Sequence, residues 1–145
     1  MNTEVYVLDA NALSRLTAIQ RTSSFLNRRC RIPSEVLHEV QGLPDIDQLL
    51  VLDFPISAEL LECLKEVMKT MRPGDFRLVD LYADKGNADP ILIATALTGI
   101  RQSANTLFAE DWRVVSDDEA VRATATEHGI GWLSTAEFVL LLSAD

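Results

Sequence analysis

Val5-Tyr6-Val7-Leu8-Asp9-Ala10-Asn11-Ala12-Leu13 is the stretch on which the fold turns. Residues 4–8 read as a strand whose run from Val5 to Leu8 is apolar and partly β-branched, as expected of one covered on both faces. The run stops on an acid, and Leu13, Leu16 and Ile19 follow at helical spacing over residues 11–20. The same alternation recurs downstream. A short helix at about 23–29 leads to a strand at 30–32, and Pro33 suits the first turn of a helix over 34–41 that Gly42 and Pro44 end. Leu49-Leu50-Val51-Leu52 reads as a third strand. Ser57 precedes a helix carrying Leu60, Leu61, Leu64, Val67, Met68 and Met71, which Arg72-Pro73-Gly74 stops. Residues 75–83 read as another short helix. Asp89-Pro90 opens a helix that ends at Gly99 and is apolar on all sides, which predicts burial on several of them. Residues 112–115 form a fourth strand, 118–128 a helix closed by Gly129, and 130–133 a fifth strand. A last helix starts near Thr135.

Strands alternating with helices predict an α/β fold: a three-layer α/β/α sandwich around a parallel sheet of four to five strands. Right-handed crossovers then bring the C-terminal ends of all strands to one edge. With 145 residues and 48% hydrophobic content, the chain suits one domain, 1–145, with a sizeable core. No apolar stretch approaches the roughly 20 residues that span a bilayer. The start, Met1-Asn2-Thr3-Glu4, lacks the basic and apolar segments of a signal peptide, and the expected location is cytoplasmic, away from membranes. Cys30 and Cys63 are the only cysteines, too few for a disulfide framework, and neither His38 nor His128 completes a zinc spacing with them.

The net charge is −9, which argues against loose, charge-driven binding of nucleic acid. The charge is unevenly placed. Between Asp9 and Glu35 there is no acid, but there are Arg15, Arg21, Arg28, Arg29 and Arg31. This run reads either as a solvated face balancing acids elsewhere or as a phosphate track, with Arg15, Arg21 and Arg28 as RNA contacts.

Four acids lie at predicted strand ends or in predicted helices: Asp9, Glu39, Asp89 and Asp118. Strand C-termini and the helix starts beside them are where α/β folds place ligand chemistry. Converging carboxylates repel one another unless a cation lies between them. An all-oxygen donor set without thiol or imidazole suits Mg²⁺ or Mn²⁺. Each acid also has a plainer reading. Asp9 would cap the first helix, and Asp89 before Pro90 would cap its own. Ser116-Asp117-Asp118-Glu119 fits a capping box with Ser116 and Glu119 as the reciprocal pair. Glu35 and Glu39, one turn apart, would both be solvated.

Taken together, these segments resemble the PIN domain, a family of metal-dependent ribonucleases of about this length, over nearly the whole chain. Residues 5–13 look like its opening strand and first acid. Ile32-Pro33-Ser34-Glu35-Val36-Leu37-His38-Glu39 is similar to its proline-led helix, with the spacing favouring Glu39 over Glu35. Asn87-Ala88-Asp89-Pro90-Ile91-Leu92-Ile93-Ala94-Thr95-Ala96 is the most specific match. Val114-Val115-Ser116-Asp117-Asp118 resembles its last strand end, which selects Asp118 with Asp117 beside it. The resemblance implies a ribonuclease that hydrolyses RNA phosphodiesters with a metal-activated water. Asp9, Glu39, Asp89 and Asp118 would be catalytic, and Asp9, Asp89, Asp118 and Asp117 would hold Mg²⁺ or Mn²⁺. Asn11 and Ser116 would orient the carboxylates. It also allows a toxin restrained by a protein antitoxin, and a homodimer. Pro90 directly after the acid departs from the pattern, and 72–86, with Asp75, Asp80, Asp84 and Lys85, has no counterpart in it. The alternative is a PIN-like module with weak or no catalysis that binds RNA or protein. An aspartyl phosphatase would want an acid where Asn11 stands, and a receiver domain would want paired acids at the first strand.

Overall fold

The computed structural model describes residues 3–70 and 89–144, with the Asp89 side chain outside the description. Five parallel strands form one sheet in the order β3-β2-β1-β4-β5: β1 (Thr3–Leu8), β2 (Cys30–Pro33), β3 (Asp53–Phe54), β4 (Glu110–Val115) and β5 (Gly131–Leu133). Helices flank the sheet in an α/β/α arrangement. Between β1 and β2 lie α1 (Ala10–Arg15), α2 (Ala18–Arg21) and α3 (Ser24–Arg29). Helices α4 (Ser34–Glu39) and α5 (Ile46–Leu49) join β2 to β3. Helices α6 (Ala58–Lys69) and α7 (Asp89–Ala104) precede β4. Helix α8 (Glu119–Glu127) links β4 to β5, and α9 (Thr135–Ala144) ends the chain.

Strand alternation distributes the core between the two faces. Val5 pairs with Trp112, and Val7 with Val114, on the face covered by α7, against which α6 packs. Tyr6 and Leu8 point the other way. There Tyr6 packs on Phe25 of α3 and Phe138 of α9, with ring centroids 6.0 and 5.5 Å away. Val7, Leu8, Val114 and Val115 are fully buried, as the continuous apolar runs of β1 and β4 require. Helix α7 is buried from Pro90 through Ala96, matching its all-round hydrophobicity.

Four elements differ from the sequence expectation. The helix over 11–20 is two helices. Thr17 and Gln20 form a reciprocal capping box that starts α2 afresh. The carbonyls freed at the end of α1, those of Leu13 and Leu16, accept hydrogen bonds from Arg21 Nη1. Residues 49–52 are not a strand. Leu49 and Leu52 are buried while Leu50 and Val51 are exposed, an i, i+3 pattern that belongs to the 3₁₀ turn Leu50–Leu52, and the strand follows it. The α8 cap is Asp118 and not Ser116: Asp118 Oδ1 accepts from the backbone of Ala120 (2.8 Å) and Val121 (3.3 Å). Gly99 does not end α7, which continues to Ala104. Its role is clearance, because a Cβ at this position would fall inside the Trp112 indole. The helix expected over 75–83 and the stop at Arg72-Pro73-Gly74 lie outside the described residues.

Cys30 and Cys63 are buried free thiols. Among the described residues no helix is long and apolar enough to cross a membrane.

The close approach of α7 to β4 gives a direct check. Gly99→Val drives two methyl groups into the indole, and is expected to destabilise the fold by about 1–3 kcal/mol or more. Urea denaturation followed by circular dichroism measures this, and an unchanged midpoint would contradict the packing of Trp112 against α7.

Candidate functional site

The connection leaving β1 covers one face of the sheet with α3, and the connection leaving β4 places α8 beside α7 on the other. Adjacent parallel strands whose connections diverge in this way leave a crevice at their C-terminal ends. Asp9 stands at the end of β1, and Ser116, Asp117 and Asp118 stand at the end of β4. The Asp9 amide still reaches the Val115 carbonyl (3.4 Å), so the two strand ends leave the sheet together.

Asp9 is the most constrained acid of the edge. It is buried, and its Oδ1 accepts a hydrogen bond from the Ala12 amide (2.7 Å), which caps α1. Ser116 is wholly buried, and its Oγ accepts from the Asp118 amide (3.1 Å). Ser116 lies near enough to the Asp9 carboxyl to act on its charge as well as on the start of α8. Burial pushes the Asp9 carboxyl above its ordinary value, against the lowering by Ser116 and by the Ala12 amide, and Asp117 and Asp118 push it further up. Glu39 is also raised, first by burial, then by Glu35 and by Asp9, with His38 opposing. Asp9 thus feels its neighbours across the crevice, and Glu39, from α4, feels Asp9. Asp9, Glu39, Asp117 and Asp118 belong to one electrostatic cluster.

Asp117 departs from its expected place as a metal ligand. Its Oδ1 accepts from the Thr135 amide at the start of α9 (2.8 Å), and its Oδ2 from Arg15 Nη1 (2.9 Å). The Thr135 amide hydrogen bond, then Arg15 and Arg122, hold its carboxyl below the ordinary value. Both oxygens are engaged in anchoring helices, whereas Asp118 spends only Oδ1 on its cap. Asn11 is exposed on the first turn of α1, and among the described residues its side chain orients no carboxylate.

The backbone puts Asp89 at the first residue of α7. Pro90 and Ile91, which follow it, line a cavity of about 570 Å³ with Ser34, Glu35, His38 and Glu39 of α4 and Leu64 and Met68 of α6. The start of α7 and the Glu39 turn of α4 therefore face one space. Asp75, Asp80, Asp84 and Lys85 lie outside the described residues. Among the described residues no three His, Cys, Asp or Glu side chains are grouped closely enough to hold a metal ion. The donor chemistry does fit a hard cation: the charges repelling one another around Asp9 are all carboxylates.

The arginine run is mostly structural. Arg21, expected on a phosphate track, is buried and forks onto Asp45, with Nε to Oδ2 at 2.8 Å and Nη2 to Oδ1 at 2.9 Å, while its Nη1 caps α1. No face of it is left for RNA, because the break between α1 and α2 needs that guanidinium. Arg29 donates to the Glu4 carbonyl (3.2 Å), and Arg31 to the carbonyls of Leu52 and Asp53 beside Phe54. Arg28 is exposed on α3. Arg15 is exposed and pairs with Asp117 at the rim. Two rim residues had no motif to mark them. Arg122 donates from Nη2 to the Asp117 carbonyl (3.1 Å) and lies over the Trp132 ring, 4.8 Å from its centroid. The available signal was spacing: Arg122 lies one turn after Asp118, and Trp132 in the strand that follows.

No protein-family model matches this chain, and no curated protein does.

The raised Asp9 carboxyl has a consequence for stability. A folded-state value above the unfolded one means that stability is lost as pH climbs from the ordinary value of 3.8 through the raised one. At neutral pH the full penalty is present. Asp9→Asn removes the charge and keeps a capping oxygen. The variant is expected to melt higher than the wild type at pH 7, with the gain shrinking on acidification and gone below 3.8, as read by thermal melts across pH. A variant less stable at pH 7 would contradict this account.

Proposed function

We propose that the protein is a ribonuclease that hydrolyses RNA phosphodiester bonds with the help of Mg²⁺ or Mn²⁺. The observation that carries this reading is Asp9: a buried carboxylate at the crevice between β1 and β4, within electrostatic reach of Asp117, Asp118 and Glu39 and raised by burial and by acidic neighbours. A fold keeps such mutual repulsion where function needs it. The resemblance of four ordered segments to the PIN domain supports the same reading.

Asp9 and the free oxygen of Asp118 would hold the cation, with Asp89 joining them from the start of α7. When bound, it would neutralise phosphoryl charge and make water a better nucleophile. The chain's own groups do the rest. Ser116 holds the Asp118 amide at the end of β4. Asp117 anchors α9 and Arg15, holding the rim in place. Glu39, whose affinity for a proton is raised, would take the proton lost by the attacking water as the new phosphorus–oxygen bond forms and the bond to the leaving ribose breaks, and the ribose oxygen would take up a proton from solvent. A toxin role, an antitoxin partner, a homodimer and a cytoplasmic setting are extensions of this proposal that rest on the resemblance alone.

A second reading is favoured by one observation, the lack of a three-ligand grouping among the described residues. On that reading the crevice binds RNA or a protein without turning it over.

Cleavage of an end-labelled single-stranded RNA in Mn²⁺ and in Mg²⁺ tests the first reading. Asp9→Asn and Asp118→Asn, checked for native folding, are each expected to lose at least about 100-fold in rate. Mn²⁺ is also expected to raise the melting temperature of the wild type more than that of Asp9→Asn. Undiminished cleavage in either variant would remove its acid from the chemistry. No Mn²⁺ heat in calorimetry, together with no cleavage of any RNA, would favour the binding module.

A further inference from the structure

The rim of the crevice carries a flat, partly exposed surface that the acids do not explain. Trp132 is the middle residue of β5, an edge strand, and is 37% exposed. It pairs with Val114 of β4, and Arg122 of α8 lies over its ring. That guanidinium is not free to swing, because its Nη2 is bonded to the Asp117 carbonyl. Indole and guanidinium therefore form a held stack, tied through the Asp117 carbonyl to the residue that precedes Asp118. Arg15 is attached to the same Asp117 through the carboxylate, with its side chain 60% exposed. Two arginines thus flank the acidic edge, while Arg21, Arg29 and Arg31 of the basic run are spent on internal bonds.

We propose that Trp132, backed by Arg122, is the stacking platform for an unpaired base of the RNA strand, and that Arg15 contacts the strand's phosphate on the opposite side of the crevice. The proposal rests on the ribonuclease reading and adds to it a base-binding subsite at the edge of the sheet. Every base offers a π-face to an aromatic ring, so stacking selects unpaired bases without selecting sequence. Duplex bases are already stacked and cannot reach the ring. A protein of net charge −9 gains little from bulk electrostatics, so a local platform with two fixed guanidiniums is a physically sound way to hold a strand beside carboxylates.

The test uses the intact chain as Asp9→Asn, in EDTA, titrated with a single-stranded RNA oligonucleotide. Trp112 and Trp132 are the two tryptophans, and Trp112 is buried between α7 and Phe54, so base-induced quenching of fluorescence reports Trp132. Quenching is expected with oligo(U) and oligo(A), and is not expected with a duplex of equal length or an abasic strand. Adding Trp132→Ala is expected to weaken binding about tenfold, with Trp132→Phe retaining most of it. In the catalytically intact background, Trp132→Ala is expected to raise KM for single-stranded RNA with kcat nearly unchanged. If Trp132→Ala does not fold, Trp132→Phe and the quenching titration still decide. Metal-dependent cleavage combined with unchanged fluorescence and unchanged affinity of the Trp132 variants overturns the platform and leaves the ribonuclease reading standing. Absence of both binding and cleavage of any RNA by the wild type overturns the ribonuclease reading, and the platform with it.

Discussion

The pairing of β1 with β4 is the constraint on which the rest of the molecule depends. The two strands run in register from Thr3 opposite Glu110 to Leu8 opposite Val115, at the centre of the sheet. Parallel pairing sends both chains out at the same edge, and the opposite courses of their connections open the crevice there. Buried valines and leucines on both faces fix that register, since a one-residue slip would turn Tyr6 and Arg113 towards α7. The position of Asp9 against Ser116 follows from it. The same register sets Trp112 against Val5, and with it the clearance that Gly99 supplies in α7.

Capping and site-building share the same atoms in this crevice. Asp9 caps α1, Asp118 caps α8 and Asp117 anchors α9, so three carboxylates at the edge each begin or secure a helix. The readings that seemed to compete in the sequence are therefore compatible. A capped carboxylate is held rigidly, and a rigid carboxylate can be aimed. What separates the acids is how many oxygens the helices consume. Asp117 has none to spare, while Asp118 keeps one. Asp9 is set apart by burial, which makes its charge unfavourable in the absence of a counter-charge.

Much of the fold was legible because its signals are local. The apolar run before Asp9, Ser57 ahead of α6 and Gly129 after α8 each report on a few neighbouring residues. Gly129 indeed takes a left-handed φ of 71°. The misreadings came where a distant group decided the local outcome. A single helix over 11–20 satisfied the spacing, but Asp45 delivers Arg21 to the carbonyls where that helix breaks. Gly99 looked like a helix end because the indole it makes room for lies thirteen positions later. Leu49 to Leu52 were apolar enough for a strand, and only their unequal burial marks the 3₁₀ turn.

The candidate site divides in the same way. The sequence by itself determined the α/β order and that acids follow strands, because hydrophobic period and capping chemistry are written in neighbouring residues. Only the tertiary structure decided which charges share a crevice. It spent Arg21 and Arg31 on helix and strand ends, took Asp117 for α9, and drew Arg122 and Trp132 to the rim. A side chain's partners depend on which elements the core brings together, and that is a property of packing across the whole sheet.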